Sequence, residues 1–341
     1  MSLLVTGGHG FVMSNLVRAW LQKHPSESVT LLDTLPPDEM AERFFRGVKD
    51  RIRWIVADLR DRGTWFNEAL SLGIDRIVHG AAVTPHAWFD GTGARHDPER
   101  ENPERVLDVN LGGTLAVLAF ARELPACRRF LLVSTGSVYG DDGPDGPLPE
   151  EGYVAPTTLY GVSKLAAEMV ARRYGELYDL PVVTARLSSV FGPMDRMLPS
   201  RHVACAPNRM TALALAGNDL RLNSTDGVGD WVAVQDVAVA LALLVEAERP
   251  LNAVYNIASG VAVSLGTLVE TVERLVPGLR WSVDPSHPNV VAEPSKLRGQ
   301  WGAYDISRLG TEFGWTPLPL EQRLQDYIEW QKEFIDKRTL I

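Results

Sequence analysis

Ser2-Leu3-Leu4-Val5-Thr6-Gly7-Gly8-His9-Gly10-Phe11-Val12-Met13 runs an apolar strand straight into a glycine-rich turn. The residues that follow, Asn15-Leu16-Val17-Arg18-Ala19-Trp20-Leu21, have the apolar period of a helix. Strand, glycine turn and helix in that order are the setting of a dinucleotide fingerprint. The glycines admit backbone to a pyrophosphate, and the helix N-terminus offers unpaired N–H groups and a favourable dipole. Gly7, Gly10, Phe11 and Val12 are the expected cofactor contacts.

The pattern then repeats. Val29-Thr30-Leu31-Leu32 ends at Asp33, 23 residues past Gly10. A carboxylate at that distance can accept both ribose hydroxyls of an adenosine and repels a 2′-phosphate, so NAD is expected rather than NADP. A third strand, residues 52–57, ends at Asp58-Leu59, an expected contact to the adenine. The fourth, Arg76-Ile77-Val78-His79, opens into Gly80-Ala81-Ala82, whose small side chains leave room for the middle of the cofactor. His79 reads as a packed strand-end histidine. Residues 129–134 and 182–187 supply the fifth and sixth strands, with a helix over residues 104–123 before the fifth. Strands alternating with helices predict an α/β fold with a doubly wound parallel sheet.

Between the fifth and sixth strands lies Thr158-Leu159-Tyr160-Gly161-Val162-Ser163-Lys164, at the start of a helix ending near Tyr178. Residues four apart share one helix face. A free tyrosine ionises near pH ~10. A neighbouring ammonium favours the phenolate, so Lys164 is expected to lower the Tyr160 pKa and make it a general base. Such a base suits removal of a hydroxyl proton as hydride leaves the same carbon.

Residues 83–103 read as a long polar loop, the expected substrate lid, carrying Thr84, His86, Trp88 and His96. Its two histidines have no third ligand nearby, so no metal is expected. After Pro193 the rhythm loosens. The expected division is 1–187, rejoined by 228–260, as the cofactor-binding domain, and 188–227 with 261–341 as a smaller mixed α/β substrate lobe.

Composition fits a soluble enzyme. The 341 residues are 45% hydrophobic and 23% charged, and the net charge of −9 argues against a nucleic-acid partner. Two cysteines, Cys127 and Cys205, show neither metal-ligand spacing nor a disulfide framework. No apolar run reaches membrane-spanning length, and a first strand beginning almost at Met1 leads us to expect no signal peptide. A cytoplasmic enzyme with no membrane partner is the expectation.

Taken together the motifs resemble the extended short-chain dehydrogenase/reductase family, in its NAD-dependent sugar epimerase/dehydratase branch. The resemblance spans nearly the whole chain. It rests on Thr6 to Phe11, Asp33, Asp58-Leu59, His79 to Ala82, Asn110-Leu111-Gly112-Gly113-Thr114, Ser134 to Gly140 and Tyr160 to Lys164, with further matches at 186–193, Asp236-Val237-Ala238, Tyr255-Asn256-Ile257 and Phe313 to Pro317. It implies a Rossmann sheet, Tyr160 as base, Lys164 as its pKa modifier and nicotinamide-ribose contact, and Thr135 as the hydroxyl facing the substrate oxygen. It adds Asn110 to the cofactor contacts, Thr84, His86, Ser137, Ser188, Ser189 and Arg298 as substrate contacts, and a sugar-type small-molecule substrate. It also implies a homodimer through the helices at 110–123 and 158–178, with Ala116, Leu118, Met169 and Val170 as apolar contacts or, equally, as residues facing the sheet.

Four departures from the family pattern stand out. Met13 stands where the third glycine of the fingerprint belongs. Gly136-Ser137 follow Thr135, where the sugar dehydratases carry an Asp-Glu pair that drives water elimination, so dehydration is not expected. Ser188-Ser189 replace an Asn that contacts the nucleotide sugar. Gly229 replaces an arginine that binds the substrate's diphosphate; Arg298, Arg201 and Arg209 are the cations that could compensate. The leading expectation is an epimerase acting on a secondary alcohol of a sugar or nucleotide sugar through a transient ketone. A dehydrogenase of a smaller sugar, sugar acid or hydroxy acid is the alternative. A non-catalytic dinucleotide-binding scaffold is the remaining one, against which Thr135, Tyr160 and Lys164 stand together.

Overall fold

A computed structural model describes residues 2–84, 88–89, 95–140, 147–291 and 302–334. Its centre is a sheet of seven parallel strands. In chain order these are β1 (Ser2–Thr6), β2 (Ser28–Asp33), β3 (Ile52–Val56) and β4 (Arg76–His79), then, after a short antiparallel pair β5 (Trp88–Phe89) and β6 (Arg95–His96), β7 (Arg129–Thr135) and β8 (Val182–Leu187). With β12 (Val254–Ile257), their order across the sheet is β12-β8-β7-β4-β1-β2-β3. The chain winds outward one way from β1 to β3 and the other way from β4 to β12. The reversal opens a crevice past the carboxyl ends of β1 and β4.

Both faces of this sheet are covered, which is why its strands read as continuous apolar runs. Side chains alternate. Leu3 and Val5 of β1 enter one core with Leu16 and Trp20 of the helix Phe11–Lys23 and Leu241 of the helix Val234–Glu246. Leu4 enters the opposite core with Phe120 of the helix Gly113–Glu123 and Ala167 of the helix Leu159–Tyr178.

A third core, including Phe191, Leu213, Trp231, Leu268 and Tyr327, belongs to the smaller lobe. There β9 (Ser189–Phe191) pairs parallel with β11 (Val228–Ala233), which pairs antiparallel with β13 (Ala262–Ser264). A second pair, β10 (Leu220–Leu222) and β14 (Trp281–Val283), is parallel. Alternate residues of β11 serve different cores: Trp231 packs in the small lobe and Val232 in the large one. The chain re-enters the large sheet with the helix Val234–Glu246 and β12.

Residues 83–103 are more structured than the loop expected of them. Besides β5 and β6 they contain the helix Pro98–Glu101, and at their end Pro103 opens the helix Pro103–Leu107. Pro98 and Pro103 stand in the first turn of each, and the Asn102 side chain caps the second by accepting from Arg105 N–H at 3.1 Å. Prolines that looked like loop punctuation are helix starts. The expected helix over 104–123 is interrupted by a π-turn, Asp108–Gly112. Asn110 sits in it, fully buried, bonded through Nδ2 to Val83 C=O at 3.1 Å and Ser163 Oγ at 3.0 Å.

Met13 has a matching vacancy. A Cβ on Gly80 would lie 2.4 Å from Met13 Sδ and 2.6 Å from its Cγ. The bulk that replaces the fingerprint's third glycine therefore packs where Gly80, at the end of β4, has no side chain. Gly80→Ala should destabilise the protein by about 1–3 kcal/mol through overpacking, and by clearly less in a Met13→Ala background. Denaturant unfolding of the four proteins of this cycle measures the coupling.

Candidate active site

Gly7 adopts φ +74°, and a Cβ there would lie 2.8 Å from Ala81 Cα and N. Only glycine brings the first turn this close to the exit of β4. Gly10 caps the helix Phe11–Lys23 without a side-chain hydrogen bond, so its first N–H groups are left for a ligand. Gly10, Phe11 and Val12 line one end of a cavity of about 850 Å³. This cradle fits a dinucleotide pyrophosphate.

At the next strand end, Asp33 accepts from His9 N–H at 3.0 Å and Leu35 N–H at 3.2 Å. Its carboxylate ties the glycine turn to the end of β2. Asp58 is paired with Arg60 at 2.7 Å, which holds its carboxyl below the usual range. Leu59 and Asn110, both expected at the cofactor, are buried. Leu59 packs in the second core and Asn110 ties the π-turn to Val83 and Ser163. His79 is packed as expected: Nδ1 lies 2.7 Å from Thr6 Oγ1 and Nε2 3.0 Å from Thr114 Oγ1. Burial, with the Lys164 charge adding to it, pushes its pKa down to about 3, so the ring is neutral.

The far half of the cavity gathers Thr135, Ser137, Tyr160 and Lys164 with Ser188 and Ser189. Thr158 caps the tyrosine helix by accepting from Gly161 N–H at 3.1 Å, and Glu99 accepts from Leu159 N–H. Gly161 lets this helix close onto the end of β7, because a Cβ there would stand 2.7 Å from Ser137 C=O. The approach brings the half-buried Tyr160 phenol into hydrogen-bonding range of Thr135. Ala82 and Thr84 line the cavity too, while His86 and Arg298 lie outside the described residues.

Burial raises the Tyr160 pKa; the Arg201 guanidinium and the Thr135 hydrogen bond oppose this. Lys164 is itself buried, which lowers its pKa to about 8, with the Glu168 carboxylate pulling the other way. Arg201 donates to Asp195 Oδ1 from Nε at 3.2 Å and Nη2 at 3.0 Å, and lies over the Phe11 ring, 5.6 Å from its centroid. Of the three arginines considered for a missing phosphate contact, Arg201 lines the cavity and Arg209 donates to Asn289 C=O instead.

Glu168 was not singled out from the sequence, although it stands one helical turn past Lys164. It accepts a hydrogen bond from Ser134 Oγ and is held by Arg186, whose Nη2 donates at 2.7 Å. Both members of the pair are only 7% exposed. At position 229 a Cβ would lie 3.1 Å from the Trp231 ring, so a side chain there would need the ring to give by a few tenths of an ångström. Glu168→Ala would leave Arg186 buried and unpaired, so it should cost about 3–5 kcal/mol in chemical unfolding. It should also lower the Lys164 pKa further, because the carboxylate that raises it is gone.

Against known proteins, a family model described as the NAD dependent epimerase/dehydratase family matches residues 3–258. The chain is 31% identical over 296 residues to the low-salt glycan biosynthesis protein Agl12 of Haloferax volcanii, covering 83% of this chain and 84% of that protein. It is 28% identical over 340 residues to dTDP-glucose 4,6-dehydratase of Mycobacterium tuberculosis, covering 98% and 94%. Among solved structures, dTDP-glucose 4,6-dehydratase from Bacillus anthracis in complex with NAD superposes with a TM-score of 0.76 at 25% identity, covering 98% and 97%. UDP-glucuronic acid 4-epimerase from Bacillus cereus, in complex with UDP-glucuronic acid and NAD, gives 0.78 at 22%, covering 98% and 99%. With a parallel Rossmann sheet, a glycine-turn cradle and a Thr–Tyr–Lys constellation in one cavity, this chain belongs to the NAD dependent epimerase/dehydratase family and is an enzyme of the extended short-chain dehydrogenase type.

Proposed function

We propose that this enzyme is a cytoplasmic, homodimeric, NAD-dependent epimerase that inverts a secondary alcohol of a nucleotide sugar through a transient ketone. The observation that carries the reading is the convergence of Thr135, Tyr160 and Lys164 on one cavity whose other end is the glycine turn. NAD, when bound there, supplies a reversible hydride acceptor. Gly7, Gly10, Phe11 and Val12 would hold its pyrophosphate and Asp33 its adenosine ribose, while Lys164 would reach the second ribose.

The protein's own part is proton handling and orientation. Tyr160 takes the proton of the sugar hydroxyl and returns it after the ketone has turned over. Thr135 suits both redox states, because a hydroxyl can accept from an alcohol and donate to a ketone. Arg201 and Thr135 work against the burial that otherwise keeps the phenol protonated. Gly136 and Ser137 supply no acid–base pair, which favours epimerisation over the elimination named for the dehydratase relatives. The glycine at 229 and the serines at 188 and 189 favour a second reading, a dehydrogenase of a sugar lacking the diphosphate.

Dimerisation draws on the outer face of the tyrosine helix, where Val162, Met169 and Leu177 are exposed. Ala116 and Leu118, by contrast, are buried within the protomer.

The protein saturated with NAD, given UDP-glucose, dTDP-glucose or UDP-glucuronic acid, should form the epimeric sugar without net NADH. Absorbance at the NADH band and product stereochemistry read this together. Stoichiometric NADH would favour the dehydrogenase, and a deoxy-keto sugar would refute the exclusion of elimination. Sedimentation at micromolar concentration should give twice the monomer mass; a monomer would remove the bundle from the proposal.

A further inference from the structure

Position 136 is where the family's dehydratases carry an acid, and this chain has no side chain there. The space is nevertheless full. A Cβ on Gly136 would stand 1.8 Å from Tyr304 Oη, 2.5 Å from Cζ and 2.7 Å from Cε1. No real Cβ makes such contacts, so a side chain at 136 and this phenol exclude each other.

Tyr304 comes from the other end of the chain and is firmly held. Its N–H donates to Asp230 Oδ2 at 3.1 Å, and Asp230 also accepts from Ser259 N–H at 2.7 Å and Gly260 N–H at 3.0 Å. A β-bridge joins Tyr304 to Leu148, and its ring meets Tyr139 edge-on at 5.8 Å. The side chain is only 2% exposed, yet it lines the same cavity as Thr135, Ser137 and Tyr160.

We propose that Tyr304 is a specificity-determining residue of this active site: its phenol occupies the side-chain volume of position 136, contacts the sugar beside the oxidised carbon, and confines the reaction to hydride and proton exchange at that carbon. The inference rests on the epimerase reading and goes beyond it by naming the side chain that stands in for the dehydratase acid. Losing water from a ketone intermediate requires a base for the α-proton and an acid for the departing hydroxyl. Burial, with Asp230 and Tyr139 adding to it, drives the Tyr304 pKa well above the ordinary tyrosine value. The phenol therefore keeps its proton. It can donate a hydrogen bond to a sugar oxygen, but it cannot serve as the base.

Two measurements test this. In a cycle of Gly136→Ala and Tyr304→Ala, thermal unfolding should show that Gly136→Ala lowers Tm in the parent but scarcely in the Tyr304→Ala background; equal losses in both would overturn the shared volume. Tyr304→Phe keeps the ring, so NAD affinity and kcat should change by less than about 2-fold while the KM and Kd for UDP-glucose or dTDP-glucose rise about 3- to 10-fold, the loss of one neutral hydrogen bond. Unchanged KM and Kd would overturn the substrate contact alone. Failure of the parent, saturated with NAD, to bind or convert either nucleotide sugar would overturn the function reading and this inference together.

Discussion

The close approach of two backbones at Gly161 is the constraint on which the active site depends. The tyrosine helix meets the end of β7 with room for a hydrogen and nothing larger. That contact decides whether the Tyr160 phenol reaches Thr135 or stands off as a surface tyrosine. Gly7 against Ala81 does the same for the glycine turn. Both contacts lie past the carboxyl ends of parallel strands, so the winding of the sheet aims the cofactor cradle and the proton-handling residues into one cavity.

Bringing these groups together buries charge. Lys164 enters a dry site and loses much of its basicity. The protein offsets this with a buried Glu168 one turn on, itself held by Arg186 and Ser134. A second ion pair, Arg201 with Asp195, bears on the phenol. The site is thus flanked by two ion pairs, Arg186 with Glu168 and Arg201 with Asp195. Truncating Glu168 would leave Arg186 as a buried, unpaired cation.

What could be read from the sequence follows from the range of the interactions. The strand–glycine–helix opening, the capped tyrosine helix and six strands of the sheet are local patterns of period and punctuation, and they were legible. So was the packed His79. The reading failed where a contact joins distant segments or depends on burial. Nothing near Met13 announces that Gly80 has made room for it, and nothing near Gly136 announces Tyr304. Arg201 was named as a cation but not as a neighbour of the phenol, because that neighbourhood arises when the chain beyond β9 folds back over Phe11. Pro98 and Pro103, inside a stretch that reads as loop, each begin a helix.

The central claim is that the Tyr160 phenol exchanges the substrate proton. Single-turnover hydride transfer from UDP-glucose, measured with NAD-saturated parent protein and with Tyr160→Phe, tests it most directly when NAD affinity is determined alongside. The account predicts that transfer falls by about 10²-fold or more while NAD binding stays within about 3-fold, as expected for loss of a positioned acid–base group. Transfer at the parent rate in Tyr160→Phe, with NAD still bound, would contradict it.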